Sequence, residues 1–381
     1  MISFDLIGGV SSLPIKPRNW QKKLIELISR RLVLGNKFQQ DVLVHAGPGA
    51  GKTLGALISY KIMRDKGFLQ KFIVFCHRSS IINQWENTAK KLGLRLEYLD
   101  LNEEKLISND LDGIIVTYQA ASRKDSKFFS KLKDWCDNKT LAIADEAHHL
   151  GISPDQEYGP AWGKSFLEIT SNNRLRLGLT GTPFRADNLA FCSANKINFI
   201  QDNQIIEQIS PDLCIEPREL ILEGDVRPLE FHFQDGLVEH KKSGQKEIES
   251  SSISSEIRES WRARNLRRAI SLNDQSSIAL NLLVRARKKL ENVRLKHKNA
   301  AGLVIAKDID HAIDIAKILR ESGDKVELIH SNEPGAHNLL TNFEKGNALW
   351  LVSVDMCAEG FDCARLRIVA YLTTVVTKSR F

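Results

Sequence analysis

The chain has 381 residues, and its 54 Lys and Arg against 47 Asp and Glu give a formal net charge of +7. A hydrophobic share of 42% and a charged share of 27% are ordinary for a globular protein of two or three domains, and no apolar stretch approaches the ~18 residues of a membrane span. The mild basic excess suits a polyanionic partner without demanding one. The opening residues lack the basic stretch and long apolar run of a signal peptide. Six Cys at 76, 136, 192, 214, 357 and 363 show no zinc-ligand rhythm and read as reduced, mostly buried thiols of a cytosolic protein.

In chain order, Val42–Val44 reads as a buried strand. It is followed by a helical stripe of Leu54, Leu57, Ile58 and Ile62 between Thr53 and Arg64. Phe72–Phe75 is the next strand, and Ser79 or Ser80 is expected to cap a helix with Ile81, Ile82, Trp85, Ala89 and Leu92 on its apolar face. Ile114–Thr117, Leu141–Ala144 and Leu175–Leu179 are further strands. The alternation of strand and helix predicts right-handed crossovers and a parallel sheet covered on both faces.

Residues 239–300 differ, with fifteen Lys and Arg against seven Asp and Glu, a local balance of +8. An exposed Ser-rich segment at Ser250–Ser255 is expected there, then a basic helix over Ile278–Leu295. This region is either a solvated linker or a surface lying against phosphates. The α/β rhythm resumes with strands at Leu303–Ile305, Val326–Ile329, Leu349–Ser353 and Ile368–Leu372. Asp308 is expected to cap a helix with Ala312, Ile313, Ala316 and Leu319 along one side. The expected division is residues 1–200, a linker or insertion over 201–300, and a second unit over 301–381.

Two sites carry chemistry. Ala46–Thr53 approximates G-x-x-x-x-G-K-[ST], with Ala46 where the pattern has its first Gly. Gly47, Gly49 and Gly51 free the backbone to turn N–H groups toward phosphate oxygens, at a helix N-terminus that favours anions. Lys52 can bridge β- and γ-phosphates, and Thr53 can hold Mg²⁺. Ninety-three residues after Lys52, the strand ending Leu141–Ala144 delivers Asp145, Glu146, Ala147 and His148. Two carboxylates at the end of a buried strand call for a cation. Asp145 suits Mg²⁺, and Glu146 suits orienting and deprotonating an attacking water. Adjacent His148 and His149 do not match zinc-ligand spacing.

These sites fall within a longer ordered series: Arg18-Asn19-Trp20-Gln21, the phosphate loop, Cys76-His77-Arg78, Val116-Thr117-Tyr118-Gln119, the DEAH run, Leu179-Thr180-Gly181-Thr182-Pro183, and Val354–Leu366. In this order they resemble the motifs of superfamily 2 helicases, over about residues 15–185 and 300–381. The likeness is greatest to the DEAH-bearing branch of type III restriction-enzyme Res subunits. The resemblance implies two RecA-like parallel-sheet lobes, the second incomplete, with a basic helical linker between them, and an ATP–Mg²⁺-driven motor on nucleic acid, DNA favoured over RNA. It implies adenine reading by Gln21 with Arg18, coupling by Thr180, Thr182 and His148, nucleotide contacts by Gly360 and Asp362, and polymer-backbone contacts by Arg78, Thr117 and Gln119. A Q-x-x-G-R-x-x-R motif supplying arginine fingers is absent before Phe381. Such fingers contribute roughly 10³ to 10⁵ in rate, so the chain is expected to bind ATP–Mg²⁺ yet turn over slowly, with a further C-terminal portion or a protein partner completing it. An RNA helicase and a non-catalytic, ATP-switched nucleic-acid-binding module remain the alternatives.

Overall fold

The computed structural model describes residues 15–34, 40–77, 81–100, 107–124, 126–150, 159–181, 196–201, 204–241, 248–252, 259–272, 277–330, 336–354, 357 and 363–374. The chain divides into two compact units, residues 1–229 and 230–381.

The first unit runs α1 (Asn19–Leu34), β1 (Asp41–Ala46), α2 (Lys52–Asp65), β2 (Lys71–Cys76), α3 (Ile82–Lys91), β3 (Leu96–Tyr98), β4 (Gly113–Thr117), α4 (Tyr118–Ala121), α5 (Lys127–Trp135), β5 (Thr140–Asp145), α6 (Gly159–Ile169), β6 (Leu175–Thr180), β7 (Lys196–Gln201), β8 (Gln204–Ile209), β9 (Leu213–Ile215) and α7 (Pro217–Leu222). Among the described residues, seven strands form one parallel sheet in the order β3-β4-β2-β5-β6-β1-β9. Side chains alternate across it with the period of two that a strand imposes. Val42, Val44, Phe72, Val74, Leu141 and Ile143 enter one apolar core with α1, α2 and α3. Leu43, Ile73, Phe75, Ala142 and Ala144 enter the other with α5 and α6. Burial on both faces explains why these strands read as continuous apolar runs.

The second unit holds β10 (Leu237–Lys241), β11 (Ile248–Ser252), α8 (Glu259–Ala269), α9 (Ile278–Lys296), β12 (Ala301–Ala306), α10 (Ile309–Glu321), β13 (Val326–Ile329), α11 (Ala336–Lys345), β14 (Trp350–Ser353) and β15 (Leu366–Leu372). Its described parallel sheet has the order β13-β14-β12-β15. The basic helix expected in the middle of the chain is α9, capped by the Ser277 hydroxyl and packed on β12 and β15. Asp308 caps α10 by accepting from His311 N at 2.8 Å.

Three expectations need correction or fall outside view. The Ser250–Ser255 segment enters β11 as far as Ser252, paired antiparallel with β10, while its expected exposure lies outside the described side chains. Ile313 is 45% exposed, because the buried face of α10 runs through His311, Ala312, Ile315, Ala316 and Leu319. The capping role given to Ser79 or Ser80 lies outside the described residues, and Ile81 at the start of α3 makes no side-chain cap.

Both sheets place a glycine across from a large aromatic ring. Gly113 pairs with Phe72, and Gly302 pairs with Trp350. A Cβ on Gly302 would lie 2.1 Å from the Trp350 ring, itself 1% exposed, so the indole fills the volume that a side chain would need. Gly302→Ala is therefore expected to destabilise the chain by about 1–3 kcal/mol through overpacking. Denaturant unfolding monitored by tryptophan fluorescence checks this, and an unchanged midpoint would contradict it.

Candidate nucleotide site at the strand ends

Every strand of the first sheet runs the same way, so the segments after β1, β2, β4, β5 and β6 emerge at one edge. Strand order decides which of them meet. β1, β6 and β5 are consecutive neighbours, which brings the phosphate loop, Thr180-Gly181 and Asp145-Glu146 together. β2 and β4 lie on the other side of β5, with Thr117 and Gln119 following β4.

The phosphate loop joins β1 to α2. Gly49 and Gly51 adopt φ of 74° and 83°, the left-handed region that favours glycine. Three consecutive loop carbonyls are held by the first turn of α1. Arg18 Nη1 donates to Gly49 O at 2.8 Å, Trp20 Nε1 to Ala50 O at 3.0 Å, and Gln21 Nε2 to Gly51 O at 3.0 Å. In a trans peptide the following N–H points opposite to the carbonyl, so these bonds turn the N–H groups of Gly51 and Lys52 away from α1. Gln21 is fully buried, and its Oε1 accepts from Arg18 N at 2.8 Å, one half of a capping box. Arg18 also donates to Asp225 O at 2.8 Å and faces the Asp225 carboxylate at 3.5 Å. The side chains expected to read adenine are engaged with the loop backbone here.

Lys52 Nζ donates to Ala46 O at 3.1 Å and lies 3.6 Å from Glu146 Oε1. The other Glu146 oxygen accepts from Gly181 N at 3.2 Å and lies 3.5 Å from His148 Nδ1. That His148 nitrogen is 3.2 Å from the Thr180 hydroxyl. Glu146 holds a φ of 48°, uncommon for a residue with a Cβ and characteristic of functional turns. A Cβ on Gly181 would lie 3.1 Å from Lys52 Nζ, so glycine there leaves the ammonium room. Lys52, Glu146, His148, Thr180 and Gly181 thus form one connected cluster.

Asp145 is 7% exposed at the end of β5. Its carboxylate accepts from Trp85 Nε1 at 2.7 Å and from Glu146 N at 3.1 Å, while the Tyr118 hydroxyl donates to its backbone carbonyl at 2.9 Å. Burial, then the neighbouring Glu146 charge, push the Asp145 carboxyl up to about 6, against the Trp85 hydrogen bond. A divalent cation would reverse this by stabilising the ionised form. Asp145 and the Thr53 hydroxyl are the oxygen donors of this edge that could hold Mg²⁺. Among the described residues no group of three or more His, Cys, Asp or Glu could hold a metal ion, and Mg²⁺ commonly takes one or two protein ligands and completes its shell with substrate phosphates and water.

Thr117 caps α4 by accepting from Ala120 N at 3.2 Å, and Gln119 is exposed. Arg78, Thr182, Gly360 and Asp362 lie outside the described residues. On α9, part of the basic charge is spent internally. Arg287 pairs with Asp324 at 2.9 Å and Lys289 with Glu230 at 2.9 Å, whereas Arg285, Lys288 and Lys296, with Lys298 just past the helix, are exposed. Sequence reasoning missed the Trp85 and Tyr118 contacts to Asp145. The available signal was that a buried indole or phenol needs a polar partner.

Residues 14–185 match the family described as "Type III restriction enzyme, res subunit". Uncharacterized proteins of Mycobacterium tuberculosis and Mycobacterium leprae are 27% and 26% identical, each over 94% of this chain and over 56% and 57% of their own length. The chain thus spans just over half the length of these relatives. A protein of Sulfolobus islandicus filamentous virus, named as a candidate helicase, is 30% identical over 45% of this chain and 28% of its own. Among solved structures, the Sulfolobus solfataricus SWI2/SNF2 ATPase core domain is similar at 16% identity over 97% of this chain and 82% of its own, with a TM-score of 0.47. The same core in complex with dsDNA is similar at 14% identity over 94% and 82%, with a TM-score of 0.42.

The Asp145 carboxyl gives a titration to follow. Because its folded pKa is raised, its contribution to stability is full below the unfolded value of ~3.9 and is lost as pH rises through about 6. The Trp85 indole reports the ionisation through their hydrogen bond. The fluorescence difference between the wild type and Trp85→Phe should titrate near pH 6, and Glu146→Gln should move that midpoint down. An unmoved midpoint would contradict the Glu146 contribution.

Proposed function

We propose, for a chain whose first unit belongs to the superfamily 2 helicases on the branch of type III restriction-enzyme res subunits, that it is an ATP-dependent helicase or translocase acting on DNA. The observation that carries this reading is the Lys52–Glu146–Gly181 cluster beside the glycine loop, at one edge of a parallel sheet whose other wing bears Thr117 and Gln119. Restriction-enzyme kinship is the ground for naming DNA as the polymer. Free, mostly buried cysteines fit a cytoplasmic setting.

In this reading Lys52 and the loop N–H groups hold the β- and γ-phosphates. Thr53 and Asp145 would hold Mg²⁺, which would neutralise charge on the phosphate oxygens. Glu146 orients the attacking water and takes its proton. Gly181 N and His148 fix one Glu146 oxygen, so the other can turn to the water once the triphosphate draws Lys52 away. Thr180, in contact with His148, feels that change. Thr117, Gln119 and Arg78 contact the polymer backbone, and the exposed cations of α9 add a salt-sensitive attraction. Backbone contacts of this type carry little sequence information.

ATP hydrolysis with and without single- and double-stranded DNA and RNA tests the proposal. DNA should stimulate turnover. Lys52→Ala and Glu146→Gln should each lower it by about 10²-fold or more, as expected for loss of a phosphate-binding cation or a general base. Stimulation by RNA alone would replace the polymer assignment, and turnover unaffected by Glu146→Gln would refute the catalytic one.

A further inference from the structure

Residues 230–236 of the second unit, just ahead of β10, carry two phenylalanines in the open. Phe231 is 62% and Phe233 82% exposed, and their rings lie 6.3 Å apart and nearly parallel, at 12°. At the alternate positions the Glu230 carboxylate lies 3.0 Å from His232 Nε2. Contacts between residues two apart on both sides mark an extended chain, in which successive side chains point opposite ways and every second one is about 6.6 Å further along. Large flat apolar surfaces left side by side in water mark an interaction site.

The segment is strapped to α9 at both ends. Glu230 pairs with Lys289 Nζ at 2.9 Å, and a Cβ on Gly236 would meet Ile278 Cδ1 at 2.3 Å. From 230 to 236 an extended chain covers about 20 Å, and from 278 to 289 a helix covers about 16 Å, so the segment runs alongside the N-terminal part of α9. Ile278, Leu282, Arg285 and Lys289 recur at the spacing of one helical stripe, which puts Arg285 between the two straps. Arg285 and Lys288, one turn on, are exposed. α8 extends the same charge. Its Leu266, and Ile270 just past it, share a core with Ala279 and Leu283 of α9, and its Arg264, Arg267 and Arg268 are exposed. The acids of the segment are tied down: Glu230 by Lys289, and Asp235 by accepting from Gly236 N at 2.8 Å.

Rings and charge together choose the occupant. A protein partner is met by an apolar centre poor in charge. Flat aromatic faces beside Arg and Lys are instead the composition of a single-strand site, where bases stack on the rings and cations track the phosphates. We infer that Phe231 and Phe233 form a base-stacking platform for single-stranded DNA on the second unit, with Arg285 and Lys288 supplying charge for its phosphates. The choice of DNA rests on the proposed function. The platform adds contacts to bases, where Thr117, Gln119 and Arg78 were assigned to the polymer backbone. Every base has a flat face, so the platform takes unpaired strands without regard to sequence.

Anisotropy with fluorescein-labelled oligodeoxythymidylate, and with an abasic strand of the same length, tests this on the whole chain. Phe231→Ala with Phe233→Ala should weaken oligodeoxythymidylate binding by about tenfold to a hundredfold, as for a lost base stack, and leave abasic-strand binding unchanged. Both rings are exposed, so the unfolding midpoint should stay at its wild-type value. Leucine at both positions, apolar but without a flat face, should behave as alanine, and tryptophan should restore binding. Arg285→Ala with Lys288→Ala should weaken both strands alike and flatten the salt dependence. Unchanged oligodeoxythymidylate affinity in the alanine variant would overturn the inference. So would an equal loss on the abasic strand, or wild-type binding by the leucine variant, which would make the patch an apolar dock. Ring-dependent binding of oligouridylate without binding of oligodeoxythymidylate would overturn the assignment to DNA. A wild type that binds no polymer and hydrolyses no ATP would remove the proposed function beneath the inference, whereas DNA-stimulated hydrolysis with ring-independent binding would remove the platform alone.

Discussion

The constraint on which the site depends is the grip of the first turn of α1 on the phosphate loop. Donors from Arg18, Trp20 and Gln21 take the carbonyls of Gly49, Ala50 and Gly51 in succession. A glycine-rich loop left alone has many conformations, since glycine loses the most freedom on folding. Three hydrogen bonds from one side select the conformer whose following N–H groups face the other way. The loop is anchored a second time through Arg18, which reaches Asp225. α1 is fixed in turn by burial of Trp20, Leu24 and Ile28 in the core shared with β1 and α2. Packing at that level sets the geometry of a site many residues downstream.

Strand order supplies the second element. β5 stands between the nucleotide wing, formed by β6 and β1, and the wing formed by β2 and β4. Its terminal Asp145 reaches both ways. The Trp85 indole and Tyr118 hydroxyl tie it to α3 and α4, and Glu146 next to it faces Lys52. The turn after β5 thus touches both wings. The raised Asp145 carboxyl has the same origin: it is buried where it links the two wings, and the Glu146 charge stands beside it.

Much of this was legible from sequence for a physical reason. Strands buried on both faces read as apolar runs, and the ends of such runs in a parallel sheet share an edge, so Lys52 and Asp145 could be brought together across a separation of 93 positions. Short or polar elements gave no such signal. The three-residue β9 is too short to read as a strand, and the β10–β11 pairing through Ser250–Ser252 carries no apolar period, so neither was visible. Among site residues, Gln21 shows the limit most clearly. Its position in the motif order was evident, but one amide can face a base or a backbone carbonyl, and only tertiary placement assigns it to Gly51 O. The Trp85–Asp145 bond likewise joins residues far apart in sequence, through a contact that no local pattern encodes.

The most direct test of this account is the affinity of Gln21→Ala for Mg²⁺ with ATP, GTP and inorganic triphosphate. If Gln21 acts by holding the phosphate loop, all three ligands should weaken together, by about tenfold for one lost hydrogen bond worth ~1–1.5 kcal/mol. Weakening of ATP alone, with GTP and triphosphate unchanged, would show that Gln21 reads the base and that the loop keeps its shape without it.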